Sequence, residues 1–95
     1  MSNDEYRLEE RLDQELRKVG LRYNYDGISR SYITTKGFFG LFSKDVGEIF
    51  GVRELKEIKI KIDVDYASHL EPIVNNLVRE FKVPILLKAR EFFDY

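Results

Sequence analysis

The side chains with the chemistry for catalysis are few and scattered along this chain. His69 is its only histidine and it has no cysteine, so disulfides, thiolate zinc sites and cysteine nucleophiles are excluded together. A lone imidazole acts as a base only beside a nucleophile or an orienting carboxylate. Ser68-His69-Leu70-Glu71 reads instead as a capping box, where serine and glutamate satisfy free amides at a helix start. Asp63 and Asp65 stand two apart, and paired carboxylates can do acid–base work. Here they alternate with Ile62 and Val64, which places them on the wet side of a strand. Asp45 and Glu48 lack the spacing of a calcium loop. No glycine run leads into the Lys-Ser/Thr of a phosphate-binding loop. The chain therefore reads as a non-enzyme, with no cofactor and no metal.

Binding chemistry is concentrated in one stretch, Lys36-Gly37-Phe38-Phe39-Gly40-Leu41-Phe42-Ser43-Lys44. It sets four large apolar side chains among two glycines and two lysines, in a chain where 35% of residues are charged. Two fates are open to it. Phe38, Leu41 and Phe42 can plug a sheet against its helices while Gly37 and Gly40 permit a bend, since apolar runs are usually core. Alternatively the stretch is an exposed loop that docks a partner through Lys36, Phe38, Phe39, Leu41, Phe42 and Lys44. A second binding expectation is single-stranded RNA or DNA, held by Tyr23, Phe38 and Phe39 with Lys59 and Lys61. Gly37-Phe38-Phe39-Gly40 has the form of a KH-domain GxxG loop, but that loop joins helices and carries small or basic residues. Lys36-Gly37-Phe38 opens like the longer aromatic motif of RNA-recognition domains. Gly40 then stands where the next ring belongs.

Length and charge narrow the setting. Ninety-five residues with 43% hydrophobic content and 13 Phe and Tyr form one domain, 1–95, with enough apolar surface for one core. No apolar run approaches the ~18 residues of a membrane span, and the start lacks a signal-peptide layout. A cytoplasmic location is the default expectation. The net charge of −1 argues against a strongly basic nucleic-acid binder. Residues 30–61 nonetheless hold seven bases against four acids, while each end is mildly acidic.

The elements that must position these residues follow from periodicity. Ser2 to Glu5 has capping-box spacing, and Leu8, Leu12, Leu16 and Val19 make one helical face that ends at Gly20. Asp26-Gly27 predicts a two-residue hairpin turn, pairing Tyr25 with Ile28, Tyr23 with Arg30 and Leu21 with Tyr32. Asp45 to Val52, with Gly47 and Gly51, reads as a bent or bulged strand, and Arg53-Glu54 as a turn. Ile58, Ile60, Ile62 and Val64 alternate with charged residues over Glu57–Asp65, a strand with one wet face. A second helix starts at Ser68, with Pro72 early in it, and ends near Lys82 before Pro84. Val83 to Ala89 is read as a last strand, with a short helix as the alternative. The resulting class is α+β, a small mostly antiparallel sheet with two helices packed on one face. An open sheet edge makes a homodimer possible.

A helix ending in glycine, a strand, and then Lys-Gly-Phe-Phe-Gly-Leu-Phe-Ser-Lys before a valine-containing strand resembles the N-terminal domain of Jag proteins. These are bacterial cytoplasmic proteins whose RNA-binding KH and Arg-x-x-x-His domains lie further along. The likeness spans roughly Glu10 to Val64, and its specific part is residues 36–44. The family's short strand before the first helix has no room here, and residues 65–95 contain neither RNA-binding motif. The same run is similar to the N-terminal region of the flagellar GTPase FlhF, without its GTPase motifs. Both resemblances imply an accessory interaction module of a bacterial cytoplasmic protein with a protein partner. The abrupt aromatic end, Phe92-Phe93-Asp94-Tyr95, suggests a module of a longer protein.

Overall fold

The structure, a computed structural model, describes residues 3–28, 30–37, 42–52 and 57–90. The chain runs α1 (Asn3–Lys18), β1 (Leu21–Tyr25), β2 (Ser31–Thr35), β3 (Asp45–Phe50), β4 (Ile58–Asp63), α2 (Val64–Phe81) and β5 (Ile85–Arg90). The five strands form one sheet in chain order. Neighbours are antiparallel up to β4, and β5 closes the sheet parallel to β4. A parallel pair needs a crossover, and α2 supplies it. This is the expected α+β class with a mostly antiparallel sheet. α2 lies on β4 and β5, and α1 packs beside it against α2 and β1.

Helical periodicity explains α1. Leu8, Leu12 and Leu16 all face the core and are at most 2% exposed. Gly20 at φ +80° makes the left-handed exit that favours glycine. Ser2, the expected cap, lies outside the described residues. In β4, Ile58, Ile60 and Ile62 are buried while Lys59, Lys61 and Asp63 are partly exposed, as the alternation requires. Among the described residues the buried apolar side chains form a single cluster. It joins these isoleucines to Leu21, Ile33, Ile49 and the Leu70, Ile73, Val74 and Leu77 face of α2.

The first hairpin differs from the expected register. Tyr25 pairs with Ser31, Tyr23 with Ile33 and Leu21 with Thr35, a slip of three residues that turns β2 over. The cause is local. The Asp26 carboxylate accepts from the Ile28 and Arg30 amides (2.8 and 3.0 Å), and the Asp26 amide donates to the Arg30 carbonyl. These bonds close a five-residue loop, in which Gly27, not Asp26, takes positive φ. The longer loop buries Ile33 completely and turns Tyr32 outward under the Arg30 guanidinium, 4.8 Å from the ring centroid. The side chain that gains most from burial sets the register.

β3 is bulged as expected. Val46 is the extra residue between the Ile33–Gly47 and Thr34–Asp45 pairs, and it is fully buried. Phe50, however, points to the sheet face opposite the helices and is 46% exposed, leaving Ile49 and Val52 in the core. The expected turn at Arg53-Glu54 lies outside the described residues.

The second helix begins four residues before Ser68. Val64, read as the last inward strand residue, opens α2 and is 53% exposed. Asp63 stands at the N-cap but makes no capping bond; its carboxylate accepts from Arg90 Nε instead (2.8 Å). Starting at Val64 lets Tyr66 and Ala67 pack against the core, a gain that outweighs the capping chemistry of Ser68. Pro72 therefore lies inside the helix, and His69 is exposed on it. The helix ends at Lys82, whose left-handed backbone (φ 55°) sends its amide to the Val78 carbonyl at 2.8 Å. Of the two alternatives for the last segment, the strand forms.

Candidate functional site

The β2–β3 connection carries the lysine- and phenylalanine-rich stretch. Its base is pinned twice: the Thr35 amide donates to the Lys44 carbonyl at 2.9 Å, and the Lys44 amide donates to Thr35 Oγ1 at 3.0 Å. A third bond ties it to the end of α1, the Lys36 amide donating to the Gly20 carbonyl at 3.2 Å. Lys36, Phe42, Ser43 and Lys44 are all exposed. Phe42 is 88% exposed, which removes it from the proposed plug between sheet and helices. Its backbone is left-handed (φ 64°), a region that costs a non-glycine residue about 1 kcal/mol or more. Lys36, Phe42 and Lys44 are therefore exposed residues of this connection. Phe38, Phe39 and Leu41 lie outside the described residues.

Tyr23, Lys59 and Lys61 do not form one surface. Tyr23 faces the helices, where its hydroxyl donates to Glu9 Oε2 (2.9 Å) and lies 3.0 Å from Ser31 Oγ. Lys59 and Lys61 occupy the opposite face of the sheet, the one no described helix covers.

The strand register defines that open face as rows across the sheet. One row runs Phe50, Lys59, Leu86; the next runs Tyr32, Glu48, Lys61, Lys88. The two guanidinium groups on this face are matched. Arg30 donates to Asp45 (2.6 Å) and Glu48 (3.2 Å), and Arg90 donates to Asp63 (2.8 Å) and reaches Asp45 at 3.5 Å. These carboxylates raise both guanidinium pKa values, the hydrogen bonds to Asp45 and Asp63 respectively being the largest causes.

Among the described residues the lysines of this face are not matched. Lys61 is the register partner of Glu48, yet Arg30 holds that carboxylate and the Lys61 ammonium sits 6.0 Å from the Phe50 ring centroid. Phe50, Glu57, Lys59 and Lys61 line an open cavity of about 430 Å³. Leu86 beside it is 51% exposed. Sequence reasoning found Lys59 and Lys61 through their alternation. It missed Phe50, Leu86 and Lys88, because only the β3–β4–β5 register brings them alongside.

Among the described residues no group of three His, Asp or Glu side chains could hold a metal ion, and no helix is long and apolar enough to cross a membrane. Comparison with protein-family models, curated proteins and solved structures returned no match.

Proposed function

We propose that this chain is a non-enzymatic protein-interaction module, of the kind the Jag N-terminal resemblance implies for a bacterial cytoplasmic protein, and that it docks through residues 36–44. The observation that carries the reading is Phe42. An aromatic side chain 88% exposed, in a left-handed backbone between exposed Lys36 and Lys44, gives the described fold little packing in return for its backbone cost. Exposed aromatics on a braced hairpin are what a protein partner buries at the centre of an interface, with the flanking lysines at its rim. The Thr35–Lys44 bonds hold the base of the loop, which lowers the ordering cost of docking.

The test places a photo-crosslinking amino acid at position 42, identifies the protein captured in bacterial cells, and titrates that protein, purified, against the full chain. A Phe42→Ser variant of unchanged melting temperature is expected to weaken binding by at least tenfold. Equal affinity of variant and parent would overturn the reading.

A further inference from the structure

The open sheet face holds a feature that docking through the loop does not use. At its Phe50 end, Lys59, Lys61 and Lys88 make no ion pair among the described residues, whereas Arg30 and Arg90 each hold acids. The chain is net acidic at −1, so this concentration of unmatched cations is a local arrangement and not a consequence of composition. A ring is set among them: Phe50 is Lys59's register partner and lies under the Lys61 ammonium.

We propose that this patch binds single-stranded nucleic acid, one base stacked on Phe50 and the neighbouring phosphates on Lys59, Lys61 and Lys88. Lysines two apart on a strand rise about 6.6 Å from one another, and adjacent strands lie about 4.8 Å apart. The three ammonium groups therefore form a track across two strands beside the ring. Single-strand binders combine such a cationic track with an aromatic platform, because every base has a π-face to stack. Duplex needs a longer, denser run of cations than this patch offers. A peptide would seek the unpaired backbone of an edge strand, but Phe50, Lys59 and Lys61 stand on the inner strands β3 and β4, and only Lys88 lies on the edge strand β5. Glu57, on the rim of the cavity, keeps the track short by repelling phosphate there.

Fluorescence anisotropy of labelled oligo-U and oligo-dT, each of about ten nucleotides, tests the proposal on the full chain. Saturable binding is expected at about 50 mM salt. Three lysines at about 0.7 counterion each give a log–log slope near −2, so affinity falls about twenty-fold between about 50 and 200 mM salt. The Lys59→Gln/Lys61→Gln double variant is expected to bind at least tenfold more weakly with a flatter slope. Phe50→Leu is expected to lose about tenfold at unchanged slope, while Lys36→Ala and Lys44→Ala leave binding unchanged. Far-UV circular dichroism and urea midpoints verify that each variant is folded, and lysine-to-glutamine changes on the wet face leave the core intact. No saturation at low salt would overturn the proposal, as would unchanged affinity in the double variant. Poly-glutamate binding as tightly as the oligonucleotides would also overturn it, by showing that the patch takes acidic polypeptide. The loop reading stands or falls separately, since it is read with Phe42→Ser and a protein partner.

Discussion

At Gly47 a Cβ would lie 2.7 Å from both Ile62 Cδ1 and the Lys61 carbonyl oxygen, closer than packed atoms tolerate. β3 can approach β4 there only because the side chain is missing. Gly47→Ala is expected to cost about 1–3 kcal/mol in urea unfolding. Tyr23→Phe tests the other face. It removes the hydroxyl shared by Glu9 and Ser31 and is expected to lower stability by about 1–2 kcal/mol while leaving oligonucleotide affinity unchanged. Glu15 supplies a pH signature. The Lys18 ammonium, then the Arg11 guanidinium, hold its carboxyl below the ordinary value of 4.5. A depressed folded pKa means the contribution is complete above about 4.5 and fades as the pH falls through the lower folded value. Glu15→Gln is expected to lose a small stability increment at neutral pH, with the gap from the parent closing in acid; melts across pH check it.

At the scale of elements, α2 offers the sharpest contrast between local chemistry and packing. Ser68-x-x-Glu71 has capping-box form, yet Ser68 lies one turn inside the helix. Ser68→Ala is therefore expected to shift stability by under about 0.5 kcal/mol, against about 1 for a true N-cap. Pro72 lacks the amide that would meet the Ser68 carbonyl, a defect that costs roughly 3 kcal/mol in an unconstrained helix. Pro72→Ala is expected to raise stability by about 1–3 kcal/mol in thermal melts. A loss of stability would mean that the proline's shape is built into the crossover. The Asp26 loop tells the same story for strands: Asp-Gly is a turn signal, but the carboxylate bonds to two amides beyond it and lengthens the turn.

For the whole molecule, the sheet order places the two proposed surfaces at opposite ends. The 36–44 connection leaves from one end of β2 and β3, and Phe50 lies at the other end of β3. Between them the Arg30 and Arg90 networks neutralise the middle of the open face. One core serves both surfaces, so loss of packing removes them together. Leu77, fully buried in α2, is the place to test this. Leu77→Ala is expected to cost about 2–5 kcal/mol, a large share of the ~5–15 typical of a domain, and to weaken loop and patch alike.

Two helices, a bulged third strand, an alternating fourth and the α+β class were legible in the residues alone, because periodicity and glycine placement are local physics. The sequence also singled out residues 36–44 and the Lys59–Lys61 pair. Tertiary structure decided the β1–β2 register, since only packing could choose the burial of Ile33 over Tyr32. It decided the start of α2, where the contacts of Tyr66 and Ala67 outweigh a capping serine. It also separated Tyr23 from Lys59 and Lys61 and set Phe50, Leu86 and Lys88 beside those lysines, because strand neighbours distant in sequence meet only when the sheet assembles.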